Sequence, residues 1–233
     1  MRWPVLSLLK GQYADTLTVY IEGDGAPWVT PWQPPPDPTP LKPIALALAS
    51  QDSSKAVAYL GRPCQYLDTA QRQECPVAYW TDGRFAPEVI DRYDQILDQL
   101  ASTTGARQLT LIGYSGGGVL AALLAARRDD VRRFITIAAP LSLAEWTGQH
   151  GISPLVRSID PGTLPAADWQ ARGLHFIGSR DKIVPSVITE KFVQKFGGRM
   201  QTVERYDHEC CWRKNWRDLL NQMNHNDQKE YPQ

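Results

Sequence analysis

The chain carries no surplus of charge: lysine and arginine together number 25, aspartate and glutamate also 25, across 233 residues. A nucleic-acid partner would call for a basic patch, and capture by an anionic membrane for a cationic excess. The composition supports neither. An apolar run long enough to cross a bilayer is also missing, so no transmembrane segment is expected. The first residues, "MRWPVLSLLK", offer only a short apolar stretch, broken by Pro4, which is too little for a signal peptide. No internal repeat is visible. No C-x-x-C pair exists, and the adjacent Cys210 and Cys211 beside His208 have poor geometry for one zinc. No metal and no other cofactor is therefore expected. Histidines number 4, so candidates for a general base are few.

What is present suits one domain spanning residues 1–233. The apolar fraction of 42% is enough for a substantial core. The 8 tryptophans and 18 prolines suggest ordered loops rather than disorder. Cys64 and Cys75 flank the short polar stretch "QYLDTAQRQE". A disulfide there would close a small ring, stabilise it by roughly 2–3 kcal/mol and imply an oxidising compartment; the alternative is two free thiols. Cys210 and Cys211 are expected to be buried free thiols, since a vicinal disulfide is strained.

Short apolar runs alternate with longer amphipathic segments. Strands are predicted over 16–23, 55–63, 107–115, 132–140, 173–181 and 200–208. Helices are predicted over 40–53, 86–105, 117–128, 187–197 and 212–223, with a polar tail over 224–233. Helices interleaved with strands predict an α/β fold, a mostly parallel sheet with helices on both faces. Ligands bind such sheets at the carboxyl ends of the strands. The proline-rich "PWVTPWQPPPDPTP" reads as a rigid loop over that end, and 141–172 leaves room for a small cap at most.

"GYSGG", residues 113–117, matches G-x-S-x-G with a strand before it and a helix after it. Ser115 would sit on a tight, strained turn with its hydroxyl above the sheet. Gly113 and Gly117 would make room for that turn, and the N–H of Gly116 would point at an oxyanion. A serine needs a base held by a third group. His208 follows the last predicted strand and is the expected base. His225 lies in the tail, His150 in the possible cap, and His175 inside a strand as a satisfied core residue. Asp181, just past a strand end, is the expected acid, with Asp160 and Asp207 as rivals. A second oxyanion donor is expected from "EGDG", the N–H of Asp24, with its side chain pointing away; an ordinary glycine-rich turn is the alternative. Trp28, Trp32, Trp80 and Trp146 lie in predicted loops and are candidates to wall an apolar pocket.

The order Ser115, Asp181, His208 around this elbow resembles the α/β-hydrolase superfamily, over nearly the whole chain. The resemblance implies a serine hydrolase acting on a small-molecule ester, thioester or amide, with a carboxylic ester favoured; a binding protein that keeps the fold without turnover is the alternative. The superfamily has two further strands before the oxyanion loop, so the sheet is expected to lack or shorten its first edge. Glu22 stands where the superfamily's loop begins with histidine. "YIEGDG", "RPCQY", "CPVAYWT", "GSRDKIVP" and "HECCW" look like a proteobacterial group of these hydrolases whose members carry exported or lipoprotein-type leaders. That likeness, added to the Cys64/Cys75 pair, implies a periplasmic or envelope location, with the cytoplasm as the alternative.

Overall fold

The computed structural model describes residues 3–26, 33–166, 169 and 171–230; for 172 and 223–230 only the backbone is described. Seven strands form one sheet: β1 (Ser7–Lys10), β2 (Thr16–Ile21), β3 (Val57–Leu60), β4 (Gln108–Tyr114), β5 (Val131–Ile137), β6 (Arg172–Gly178) and β7 (Arg199–Val203). Their order is β1-β3-β2-β4-β5-β6-β7. Only β1 runs antiparallel, along β3; every other pairing is parallel. The first edge is thus present but reduced to four exposed residues. The helices are α1 (Ile44–Ala49), α2 (Thr69–Gln73), α3 (Pro87–Thr104), α4 (Gly116–Arg127), α5 (Leu143–His150), α6 (Ser186–Phe196) and α7 (Trp212–Glu230).

Period-two alternation in the strands builds two cores. Leu17, Val19 and Ile21 of β2 and Leu109 and Leu111 of β4 face α3 and α4. Tyr20, Ile112 and Tyr114 face the opposite way, toward α1, Trp212 and Trp216. The sheet is therefore covered on both sides, and its middle strands are buried. From β2 the chain steps outward to β3, returns past β2 to β4, then proceeds the other way. The reversal falls between β2 and β4, and their carboxyl ends open the crevice where α/β sheets hold ligands.

Two expectations need correction. The expected polar tail over 224–233 is helical as far as Glu230, where α7 ends. Trp212, Trp216 and Leu219 anchor its start in the core, and once a helix is nucleated each further turn is inexpensive in a stretch free of proline and glycine. Cys210 and Cys211 are not buried thiols. They are joined as a disulfide in an exposed turn, which Asp207 organises by accepting hydrogen bonds from the N–H groups of Glu209 and Cys210. Trp212 takes the core position beside them. The bond between Cys64 and Cys75 is formed, with Cα atoms 5.9 Å apart. It packs under Trp80.

His175 is in the core but only half satisfied. Its Nδ1 meets the Thr136 hydroxyl at 2.9 Å, whereas Nε2 has no hydrogen-bond partner among the described residues. Phe134 and Phe192 flank the ring. Burial disfavours the imidazolium and lowers the pKa from 6.5 to about 3. Below pH 6.5 the unfolded chain takes up a proton that the folded one refuses, so His175 subtracts stability as pH falls from 6.5 toward 3. Urea unfolding midpoints measured at pH 7 and pH 4 should therefore drop less in His175→Leu than in the native protein; equal drops would contradict this assignment.

Candidate active site

Ser115 connects β4 to α4 with φ of 50° and ψ of −123°. A positive φ is uncommon for a non-glycine residue and stores strain. The surroundings hold it there. A Cβ on Gly113 would stand 2.1 Å from the carbonyl oxygen of Gly117. One on Gly117 would stand 2.2 Å from that of Ile21. Strand, turn, helix and the neighbouring β2 therefore approach one another backbone to backbone. The Ser115 N–H donates to the Ile137 carbonyl at 2.8 Å, and the Gly118 N–H donates to the Ser115 carbonyl at 2.9 Å. The buried faces of β4 and α4 stabilise a turn that would not form alone.

His208 lies in the loop between β7 and α7, and its ring spans two partners. Nδ1 is 2.9 Å from Oδ2 of Asp181, and Nε2 is 3.1 Å from Oγ of Ser115. An ionised carboxylate only accepts, so Nδ1 carries the proton and Nε2 presents its lone pair to the serine hydroxyl. The His208 carbonyl accepts from Tyr114 Oη at 3.1 Å and Trp212 Nε1 at 3.0 Å, which fixes the backbone beneath the ring. Burial pushes the Tyr114 phenol up, so it stays a neutral donor.

Asp181 follows β6. Its Oδ1 accepts from the N–H groups of Ile183 at 2.8 Å and Val184 at 2.9 Å, leaving Oδ2 for the histidine. The carboxylate is almost wholly enclosed. Both rivals are engaged elsewhere. Asp160 accepts from the N–H groups of Gly162 and Ala144, and Asp207 holds the disulfide turn.

Sequence reasoning missed the support behind Asp181. Trp146 Nε1 donates to the Ile183 carbonyl at 2.8 Å, and His150 Nε2 reaches the same oxygen at 2.8 Å. These α5 side chains, stacked edge to face, latch the loop that carries Asp181. Trp80 Nε1 donates to the Pro35 carbonyl and the ring is buried, so it serves loop packing at the Cys64–Cys75 bond. Trp28 and Trp32 lie outside the described residues.

Beyond β2, Glu22 folds back on its own turn. Oε1 accepts from the N–H groups of Gly23 at 3.0 Å and Ala45 at 3.2 Å, and Oε2 from Tyr59 Oη at 3.2 Å. Burial raises its pKa against these hydrogen bonds. Asp24 departs from expectation, because its side chain does not point away. Its Oδ1 lies 2.0 Å from where a Cβ on Gly116 would stand. Two guanidiniums hold it there, Arg62 Nη1 on Oδ1 and Arg84 Nη1 on Oδ2, each at 2.7 Å. The Gly116 N–H, first of α4, has no acceptor among the described residues.

A serine on a strained strand-to-helix turn, at the switch point of a mostly parallel sheet flanked by helices, defines an α/β-hydrolase. Solved structures share the fold. Est1E from Butyrivibrio proteoclasticus superposes with a TM-score of 0.64 at 11% identity, covering 96% of this chain and 94% of its own. An α/β serine hydrolase homologue from Coxiella burnetii gives 0.61 at 13%, covering 96% and 94%. XC6422 from Xanthomonas campestris, described as a serine hydrolase without lid, gives 0.60 at 13%, covering 99% and 91%. No curated protein matches the chain. The family profile "Serine hydrolase (FSH1)" matches residues 42–210, a span that holds Ser115, Asp181 and His208. The chain belongs to the FSH1 serine hydrolase family and is a hydrolase of the α/β-hydrolase fold.

The glycine contacts make a stability prediction. In Gly117→Ala the new methyl would meet main-chain oxygens that have nowhere to retreat, a loss of more than about 3 kcal/mol. Gly148→Ala in α5 meets nothing within 4 Å and should gain roughly 0.5–1 kcal/mol. Thermal denaturation of both variants checks this, and equal midpoints would contradict it.

Proposed function

We propose that the protein hydrolyses carboxylic esters through an acyl-enzyme on Ser115. The observation that carries this reading is the His208 ring, held within hydrogen-bond reach of both Ser115 Oγ and Asp181 Oδ2. As the serine oxygen attacks the acyl carbon, Nε2 takes its proton. Asp181 keeps the imidazole oriented and stabilises the imidazolium. The tetrahedral oxyanion is received by the N–H groups of Gly116 and Asp24, assisted by the positive end of α4. The imidazolium then protonates the leaving alcohol. Water, deprotonated by the same nitrogen, releases the acid and restores the serine.

Thioesters and amides would pass through the same intermediate. Esters are favoured over amides because an alkoxide asks less of the general acid than an amide nitrogen does. Ser115 is partly exposed, consistent with small acyl groups. The described residues of 141–172 contribute α5 and a short 3-10 turn at Pro161–Thr163, and the α5 side chains Trp146 and His150 are committed to the Asp181 loop. That leaves little among the described residues with which to enclose a long chain. Two disulfides favour an oxidising compartment such as the cell envelope.

A fluorophosphonate probe should label the native protein and not Ser115→Ala. On p-nitrophenyl esters of increasing acyl length that variant should lose at least about a thousandfold in kcat, with the native protein fastest on the short members. Equal labelling of the two would remove Ser115 from the mechanism. Labelling without turnover of any ester would point to thioesters or amides.

A further inference from the structure

The loop that follows β2 carries a charge where a hydrolase of this kind should avoid one. Asp24 sits between Gly23 and Gly25, and its carboxylate fills the space over Gly116 that any larger residue would claim. Burial works to raise its pKa, but Arg84 first and Arg62 second override this and hold it below the ordinary carboxylate value. It is therefore ionised at neutral pH. An unscreened carboxylate there would repel a developing oxyanion and compete for its N–H donors.

Both carboxylate oxygens are instead occupied. Arg62, 3% exposed, holds Oδ1 of Asp24, and Arg84, 9% exposed, holds Oδ2. Each is itself anchored. Arg62 Nη2 donates to the Arg84 carbonyl at 2.8 Å and its guanidinium lies over the Phe85 ring. Arg84 Nε donates to the Thr81 carbonyl at 2.6 Å. Gln65 Nε2 adds a tie to the Gly23 carbonyl at 3.1 Å. Two guanidiniums face one carboxylate, so the cluster of three is cationic beside Gly116. Glu22, the other acidic group nearby, spends its oxygens on N–H groups and Tyr59.

We infer that Arg62 and Arg84 are positioning residues for the oxyanion site: through Asp24 they fix the loop over Gly116, and by neutralising its carboxylate they leave the site receptive to negative charge. The inference rests on the reading of Ser115 as an acyl-transfer nucleophile. It adds a function to two arginines that lie far in sequence from the elbow and bring no group to the reacting atoms.

The test uses the full chain and a p-nitrophenyl ester. Arg84→Met should lower kcat roughly 30-fold while KM moves less than about threefold, since an exposed negative charge penalises the transition state rather than the neutral substrate. Adding Asp24→Asn to Arg84→Met should recover at least about tenfold of that loss, because the offending charge is gone. Arg84→Lys, which keeps a cation, should lose less than Arg84→Met. Arg84→Gln serves with the same expectations if the methionine variant does not fold. A double variant no faster than its parent would overturn the inference and show a purely structural clamp, as would unchanged kcat in Arg84→Met. Fluorophosphonate labelling separates the two levels: variants that still label at Ser115 but show no rescue sink the arginine assignment alone, whereas a native protein that does not label sinks the esterase reading itself.

Discussion

The close approach of three backbones at Ser115 is the constraint on which the site depends. The serine adopts a positive φ only because Gly113, Gly117 and the end of β2 pack without side chains between them. That contact places Ser115 at the point where strand order reverses. It also brings the loop after β2 against the first turn of α4, where the Asp24 carboxylate meets Gly116. The strain is offset by burial in β4 and α4. The same design explains the third glycine: a Cβ on Gly118 would meet that of Ala139 at 2.5 Å, and removing it lets α4 lie close to the chain leaving β5.

His208 and Asp181 reach this point by different routes. Each stands in the loop after a strand, His208 after β7 and Asp181 after β6, and parallel neighbours present those loops at one end. Their side chains are over-determined by main-chain contacts. Asp181 caps its own turn, α5 latches that turn through Ile183, and Tyr114 and Trp212 hold the His208 carbonyl. A preorganised polar site of this kind needs little rearrangement when charge develops.

Much of this was legible in the sequence because it is local. Alternation in β2 and β4, the glycine spacing around Ser115 and the strand-end positions of Asp181 and His208 each follow from a few consecutive residues. What was not legible depends on long-range pairing. Arg62 and Arg84 meet Asp24 from 38 and 60 residues away, and no periodicity marks such a pairing. The side chain of Asp24 was expected to avoid the oxyanion site, because repulsion was weighed without the cations that remove it. Trp146 and Trp80 read as loop aromatics, and only their indole N–H partners reveal what they hold. The extension of α7 was hidden because its polar residues show no apolar stripe. The Cys210–Cys211 bond was missed because strain was given more weight than the exposed turn that presents the pair.

Ser115 as the acyl acceptor is the central claim, and pre-steady-state hydrolysis of p-nitrophenyl acetate with peptide mass analysis tests it most directly. The account predicts a burst of p-nitrophenol equal to the enzyme concentration, with the acetyl group recovered on the peptide that carries Ser115. Linear release with no burst, together with acetyl recovered only on another residue, would contradict it.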